Sequence, residues 1–191
     1  MAPVLIVLCV AALIVVIVVV GLYNGLVAAR ARVRESSSTV DTELQRRHDL
    51  IPNLVESVKG YMSHERDLLQ RLVQLREQAE RVRPGAITPE QVRVESELQN
   101  ALSGLRARFE AYPDLKASAN FQALQGELAN TEDRVQGALR FYNGNVRDLE
   151  VKCDAFPSGM IASMFGFQKA TYFELKDPSA RQAPKVSFSS P

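Results

Sequence analysis

The chain opens on an unbroken apolar run and then settles into apolar positions spaced three, four or seven residues apart. The run, from Val4 to Leu22, reads "VLIVLCVAALIVVIVVVGL" and holds no charge. At 1.5 Å per residue it spans about 28 Å, close to the hydrocarbon thickness of a bilayer. A buried core helix is usually shorter and keeps a polar face, so the pattern predicts a transmembrane helix. No Lys or Arg precedes the run, and it exceeds the usual h-region of a secretory signal. Both points favour a retained anchor over a cleaved peptide. Tyr23 follows at interfacial depth, and the first charge is Arg30.

From Tyr23 to Val151 the period is helical, and no segment sustains the alternation of a strand. A first soluble helix, with Leu26, Val33, Val40 and Leu44 on one face, is predicted to run to about His48. The hydroxyls of "SSST" (36–39) weaken it locally by competing for backbone hydrogen bonds. A second stripe takes in Ile51, Leu54, Val58, Tyr61, Leu68, Leu72, Leu75, Ala79 and Val82. It predicts a helix of about 35 residues, roughly 50 Å long, which would overhang its neighbours and favour self-association. After "RPGAITP", Thr88 and Pro89 supply a hydroxyl cap and a proline for the first turn of a third helix. Its face is Val94, Leu98, Ala101, Leu105, Phe109 and Tyr112, with Pro113 closing it. A fourth helix starts near Ser118 and carries Phe121, Leu124, Leu128, Val135, Leu139, Tyr142, Val146 and Leu149.

The segment "QRRHDLIPNL" (45–54) is read as the corner between the first two helices. Asp49 is placed to cap the second helix, Pro52 falls in its first turn, and His48 sits against the last carbonyls of the first. Short connections make neighbouring helices antiparallel. The expected fold is therefore all-α: an N-terminal transmembrane helix, an up-down-up-down four-helix bundle and a short C-terminal apolar segment. Residues 1–23 form the anchor, 24–175 the bundle, and 176–191, rich in Pro, Ser and Lys, a flexible tail. In the same topology the segment from Phe156 to Phe173 lies beside the membrane. It is dense in Phe and Met, and would cover lipid, a neighbouring copy or the bundle's own open end.

Charge and chemistry narrow the function. There are 23 Lys plus Arg against 22 Asp plus Glu, spread along the chain, so no basic face points to nucleic acid. Two distant cysteines, Cys9 and Cys153, form neither a disulfide framework nor a zinc cluster. His48 beside Asp49 has the residue types of an acid–base couple, but no nucleophile accompanies it. His64-Glu65 begins like the zinc-protease H-E-x-x-H, yet position 68 is leucine. No catalytic, cofactor-binding or metal-ligating residue is assigned, and no cofactor is expected. An enzyme using His48, Asp49 or His64 stays as the weakest alternative. Arg30, Arg32 and Arg34 follow the anchor, which places the bundle in the cytoplasm and the N-terminus outside.

The stretches "YNGLVAARARV", "VDTELQRRHDLIPNLVESVKGY", "YPDLKASANFQALQGELANTEDRV", "RFYNGNV", "FPSGMIASMFGF" and "YFE" resemble the LemA family of bacterial membrane proteins, in order, from Tyr23 to Glu174. Ser36 to Ser38, Leu149-Glu150 and Gly159 depart from the residues common there. The resemblance implies a single-span protein of the bacterial plasma membrane with a helical bundle and no family catalytic residues. It also implies a role in membrane organisation, because a magnetosome membrane protein belongs to the family. The reading that follows is a membrane-anchored scaffold or interaction protein with the bilayer and further copies of itself as partners. An adaptor for a membrane protease or transporter is the alternative.

Overall fold

A computed structural model describes residues 1–82 and 87–175. The predicted tail and the first four residues of "RPGAITP", 83–86, lie outside them. The described residues are all-α and contain no strand. The helices are α1 (Ala2–Lys59), α2 (Arg66–Arg81), α3 (Pro89–Arg108), α4 (Pro113–Ala117), α5 (Ala119–Asp154) and α6 (Ser158–Met164). A 3-10 turn at Phe109–Ala111 separates α3 from α4. Two compact units emerge. One comprises residues 1–44 and 133–173, and the other holds residues 45–132.

The first correction concerns the corner at 45–54. There is none: α1 continues through it with Pro52 inside the helix. Neither His48 nor Asp49 stands at a helix end. Proline cannot donate to the carbonyl four residues back, here that of His48. The guanidinium of Arg76 on α2 does so in its place, with Nε 3.1 Å from the His48 oxygen. The "SSST" hydroxyls do not interrupt α1 either. Ser36 Oγ donates to the carbonyls of Arg32 (2.8 Å) and Val33 (3.0 Å), and Ser37 Oγ to that of Arg34 (2.8 Å), inside an intact helix.

The second correction follows from the first. The long predicted second helix is broken at 60–65, so α2 has 16 residues and the overhang disappears. Gly60 marks the break, and the stripe passes through Met62, fully buried, while Tyr61 faces outward. Glu65 N–H bonds to the Met62 carbonyl at 3.0 Å and closes the turn. Further on the reading holds better. Thr88 caps α3, accepting from the Gln91 amide at 3.2 Å, and Pro89 opens it. Pro113 does not close α3 but begins α4, and α5 starts beside Ser118 as expected.

In the unit that holds 45–132, five helical segments share one core: the end of α1, α2, α3, the short α4 through Leu115, and the beginning of α5. Ile51, Leu54 and Val58 meet Leu72, Leu75 and Ala79, with Val94, Leu98 and Leu105 from α3 and Phe121 from α5. Phe109 and Phe121 pack edge to face at 4.7 Å. α2 and α3 run antiparallel, with Arg71 paired to Glu97 and Arg108 to Glu65.

In the other unit α1 and α5 run antiparallel, and Arg134 reaches Glu43 at 3.7 Å. Val135, Leu139, Tyr142, Val146 and Leu149 alternate spacings of four and three along the buried seam of α5. Leu26, Ala29, Val33, Val40 and Leu44 face inward from α1. The apolar start of α1 is exposed along its length and long enough to cross a bilayer, as a membrane anchor requires.

Candidate functional site: a buried charge cluster

The stripe that passes from Leu44 to Ile51 does so through Arg47 and His48, both fully buried. Opposite them α3 turns in Glu95, also fully buried, between Val94 and Leu98. Arg47 Nη2 grips one Glu95 oxygen, and His48 Nε2 lies 3.0 Å from the other. The ring N–H is not aimed straight at that oxygen, so the second contact is a bent one. Arg47 Nη1 donates to Gln99 Oε1 at 2.9 Å and lies 3.4 Å from Glu132 Oε2 on α5. One guanidinium thus joins α1, α3 and the beginning of α5.

Burial alone raises the pKa of Glu95. The close approach of His48 and the charges of Arg47 and His48 outweigh it and hold the carboxyl below its ordinary 4.5. Burying such groups is costly, so they persist only when each finds partners across the core. The arrangement fixes which residues of α1, α3 and α5 stand at one level. An apolar stripe alone does this less sharply.

The sequence-predicted candidates are not brought together. His48 points into the core, whereas Asp49 is exposed and accepts from Gln45 Nε2 at 2.6 Å. Successive helix residues face about 100° apart, which separates the pair. His64 is exposed in the turn between α1 and α2. Among the described residues no three His, Cys, Asp or Glu side chains gather as a metal site would require. With its ring fully buried, His48 is closed to any substrate in this conformation. The sequence reading missed Arg47, Glu95, Gln99 and Glu132. A signal was present for two of them, since Arg47 and Glu95 occupy apolar-stripe positions, where an unpartnered charge would be expelled.

A second feature of the same unit is a groove of ≈ 720 Å³ between the end of α1 and α2. Val55, Met62, Leu69 and Val73 line it, with Lys59 and Arg66 also on its wall.

The sequence profile of the LemA family matches residues 36–188. The chain belongs to the LemA family. This LemA-family chain is similar to Protein LemA of Metamycoplasma hominis, with 24% identity over 160 residues, 84% of this chain and 72% of that protein. It is also similar to two magnetosome proteins of Paramagnetospirillum magneticum, MamQ 1 and MamQ 2. Each is 29% identical over 77 residues, 40% of this chain and 28% of its own length. The profile match includes Arg47, His48, Glu95, Gln99 and Glu132, so the charge cluster falls inside the LemA region of the chain.

Proposed function

We propose that this LemA-family protein is a membrane-anchored scaffold, organising the bacterial plasma membrane or its proteins through assembly of its own copies. The observation that carries the reading is α1 itself. One helix begins as an exposed apolar stretch of spanning length and ends as a wall of a packed helical core. Such a protein offers helix surfaces at a membrane and keeps its strongest polar chemistry inside, holding the fold. Two relatives named as magnetosome proteins are in keeping with a membrane-organising role. The arginines at 30, 32 and 34 favour a cytoplasmic bundle with the N-terminus outside.

A second reading, an adaptor for a membrane protease or transporter, is favoured by the groove beside α2. Its apolar floor and its two cations suit an amphipathic, acidic helix from another protein. The mass of the detergent-extracted full chain, with bound detergent subtracted, separates the two. A discrete assembly of many copies is the expected result; a monomer gives the adaptor reading the lead. A reporter fused after Pro191 tests the orientation, and its activity outside the cell would reverse it.

A further inference from the structure

After α5 the chain turns back on itself and climbs along the helix it has just left. α6 ends in a Schellman cap. Gly166 adopts φ +68, its N–H approaches the Ser163 carbonyl at 3.4 Å, and Phe167 N–H reaches the Ala162 carbonyl at 2.9 Å. Beyond the cap an extended strap is tied to α5. Tyr142 donates to the Thr171 carbonyl (2.8 Å), and the Asn143 amide holds both the N–H and the carbonyl of Phe173 (2.9 Å each). The lowest point of this path is therefore α6 and its flanks, and ring contacts fix its level. Tyr23, the residue after the apolar run, stands 4.9 Å from the Phe165 ring and 5.8 Å from the Phe167 ring.

At that level α6 is divided into two faces. Ile161 and Ala162 turn inward and are buried. Phe156, Met160, Met164 and Phe165 turn outward, Phe156 being 85% and Met164 74% exposed. Scattered apolar side chains at a surface are ordinary, but four large ones on a short turn are a patch. Charges around it are sorted as well. Lys169 neutralises Asp154 (2.6 Å) and approaches Glu150 (3.5 Å). Lys152 stands beside Gly25, and Arg30 lies over the Phe167 ring at 4.9 Å. Apolar side chains at the level of the end of the anchor, with cations just above, match the acyl boundary and the phosphates of a lipid surface.

We propose that α6 with its flanking Phe156 and Phe165 is a membrane foot, seated in the headgroup–acyl boundary of the leaflet from which α1 emerges. The foot gives the protein a second point of attachment beside its anchor. A helix spanning alone is free to spin about its axis, whereas two attachments fix which face of the protein looks along the membrane. The proposal rests on α1 spanning the bilayer.

The test uses the full chain in vesicles of phosphatidylcholine and phosphatidylglycerol, with Cys9→Ser and Cys153→Ser as background. Single cysteines carry a small fluorophore at Met160→Cys or Met164→Cys, at Val16→Cys in the anchor, and at Arg140→Cys higher on α5. Lipids brominated near the headgroup or at mid-chain serve as quenchers. Shallow bromines are expected to quench positions 160 and 164 more strongly than deep ones. Position 16 is quenched by the deep set and position 140 by neither. Quenching at 16 without quenching at 160 and 164 overturns the foot while leaving the anchor in place. If unlabelled Met164→Cys chains also cross-link to one another on oxidation, the patch is covered by a second copy instead. No quenching at 16 overturns the spanning reading, and the foot with it.

Discussion

In the unit built from residues 1–44 and 133–173, the buried polar residues on α1 are Ser36 and Ser37. In the unit that holds 45–132 they are Arg47 and His48, set against Glu95. A serine hydroxyl is satisfied by its own helix, through carbonyls three and four residues back, and needs nothing from a neighbour. A guanidinium in the core has no such recourse. Its partners come from α3 and α5, at 48, 52 and 85 residues' distance along the chain. One kind of polar burial is local and indifferent to what packs against it. The other ties distant segments to one level.

That contrast is broken most directly by removing one member of the charge cluster. Arg47→Ala or Glu95→Ala is expected to cost about 3–5 kcal/mol, because each leaves a buried partner uncompensated. Ser36→Ala should stay within about 1 kcal/mol. Denaturant unfolding of the detergent-solubilised chain measures both; equal losses would erase the distinction. Replacing Arg47, His48 and Glu95 together with apolar residues of similar volume should instead be neutral or stabilising, by up to about 4 kcal/mol. If the triple variant is as damaged as Arg47→Ala, the cluster contributes more than mutual compensation.

Acid sharpens the same comparison. The Glu95 carboxyl is held below 4.5 in the fold, so the unfolded chain takes up its proton first as pH falls. Its contribution is complete above that ordinary value and is lost as pH drops through the lower folded one. Glu95→Gln should flatten the acid limb of the stability curve, whereas Ser36→Ala should leave it unchanged. Tyr142 provides the alkaline counterpart in the other unit. Burial and the charge of Asp41 push its phenol from 10.0 to about 12. The stabilisation it gives is complete below pH 10 and lost as pH rises through about 12. Alkaline unfolding in that range should lessen in Tyr142→Phe.

A more modest effect than loss of the charge cluster concerns Pro52. Arg76→Ala leaves the His48 carbonyl without its donor and should cost about 1–2 kcal/mol. In a Pro52→Ala background the restored amide answers that carbonyl, and the same change should cost less. Additive losses would mean that Arg76 acts through Glu80, its other partner at 2.7 Å, and not through the helix.

These residues also show how far the sequence could be read. The long apolar start of α1, the Thr88–Pro89 start of α3 and the seam of α5 were legible because each rests on local chemistry: apolar length, a hydroxyl cap, a repeat of four and three. The 45–54 segment was misread because its continuity is tertiary. A proline three residues after an aspartate marks a helix start unless an arginine 24 positions beyond Pro52 supplies the missing hydrogen bond. The true break at Gly60 was masked by Tyr61, which fits the apolar spacing and yet faces outward, while Met62 next to it is buried. The candidate site was half legible. Arg47 and Glu95 occupied stripe positions in plain view, but periodicity does not say which charges meet.

The Asn143 clamp carries a consequence for how the molecule ages. Asn143 is followed by Gly144, a pair whose amide side chain is readily attacked by the next backbone nitrogen and lost as ammonia. In the folded chain that side chain is occupied by Phe173, and Gly144 is locked in α5. The reaction therefore waits for moments when the strap is undone and the helix locally open. Its product carries a carboxylate, which still accepts from the Phe173 N–H but repels the carbonyl it once held. Each such event makes the next release easier. The fraction of chains one mass unit heavier at Asn143, followed over weeks of storage, is thus a clock for how often the strap lets go.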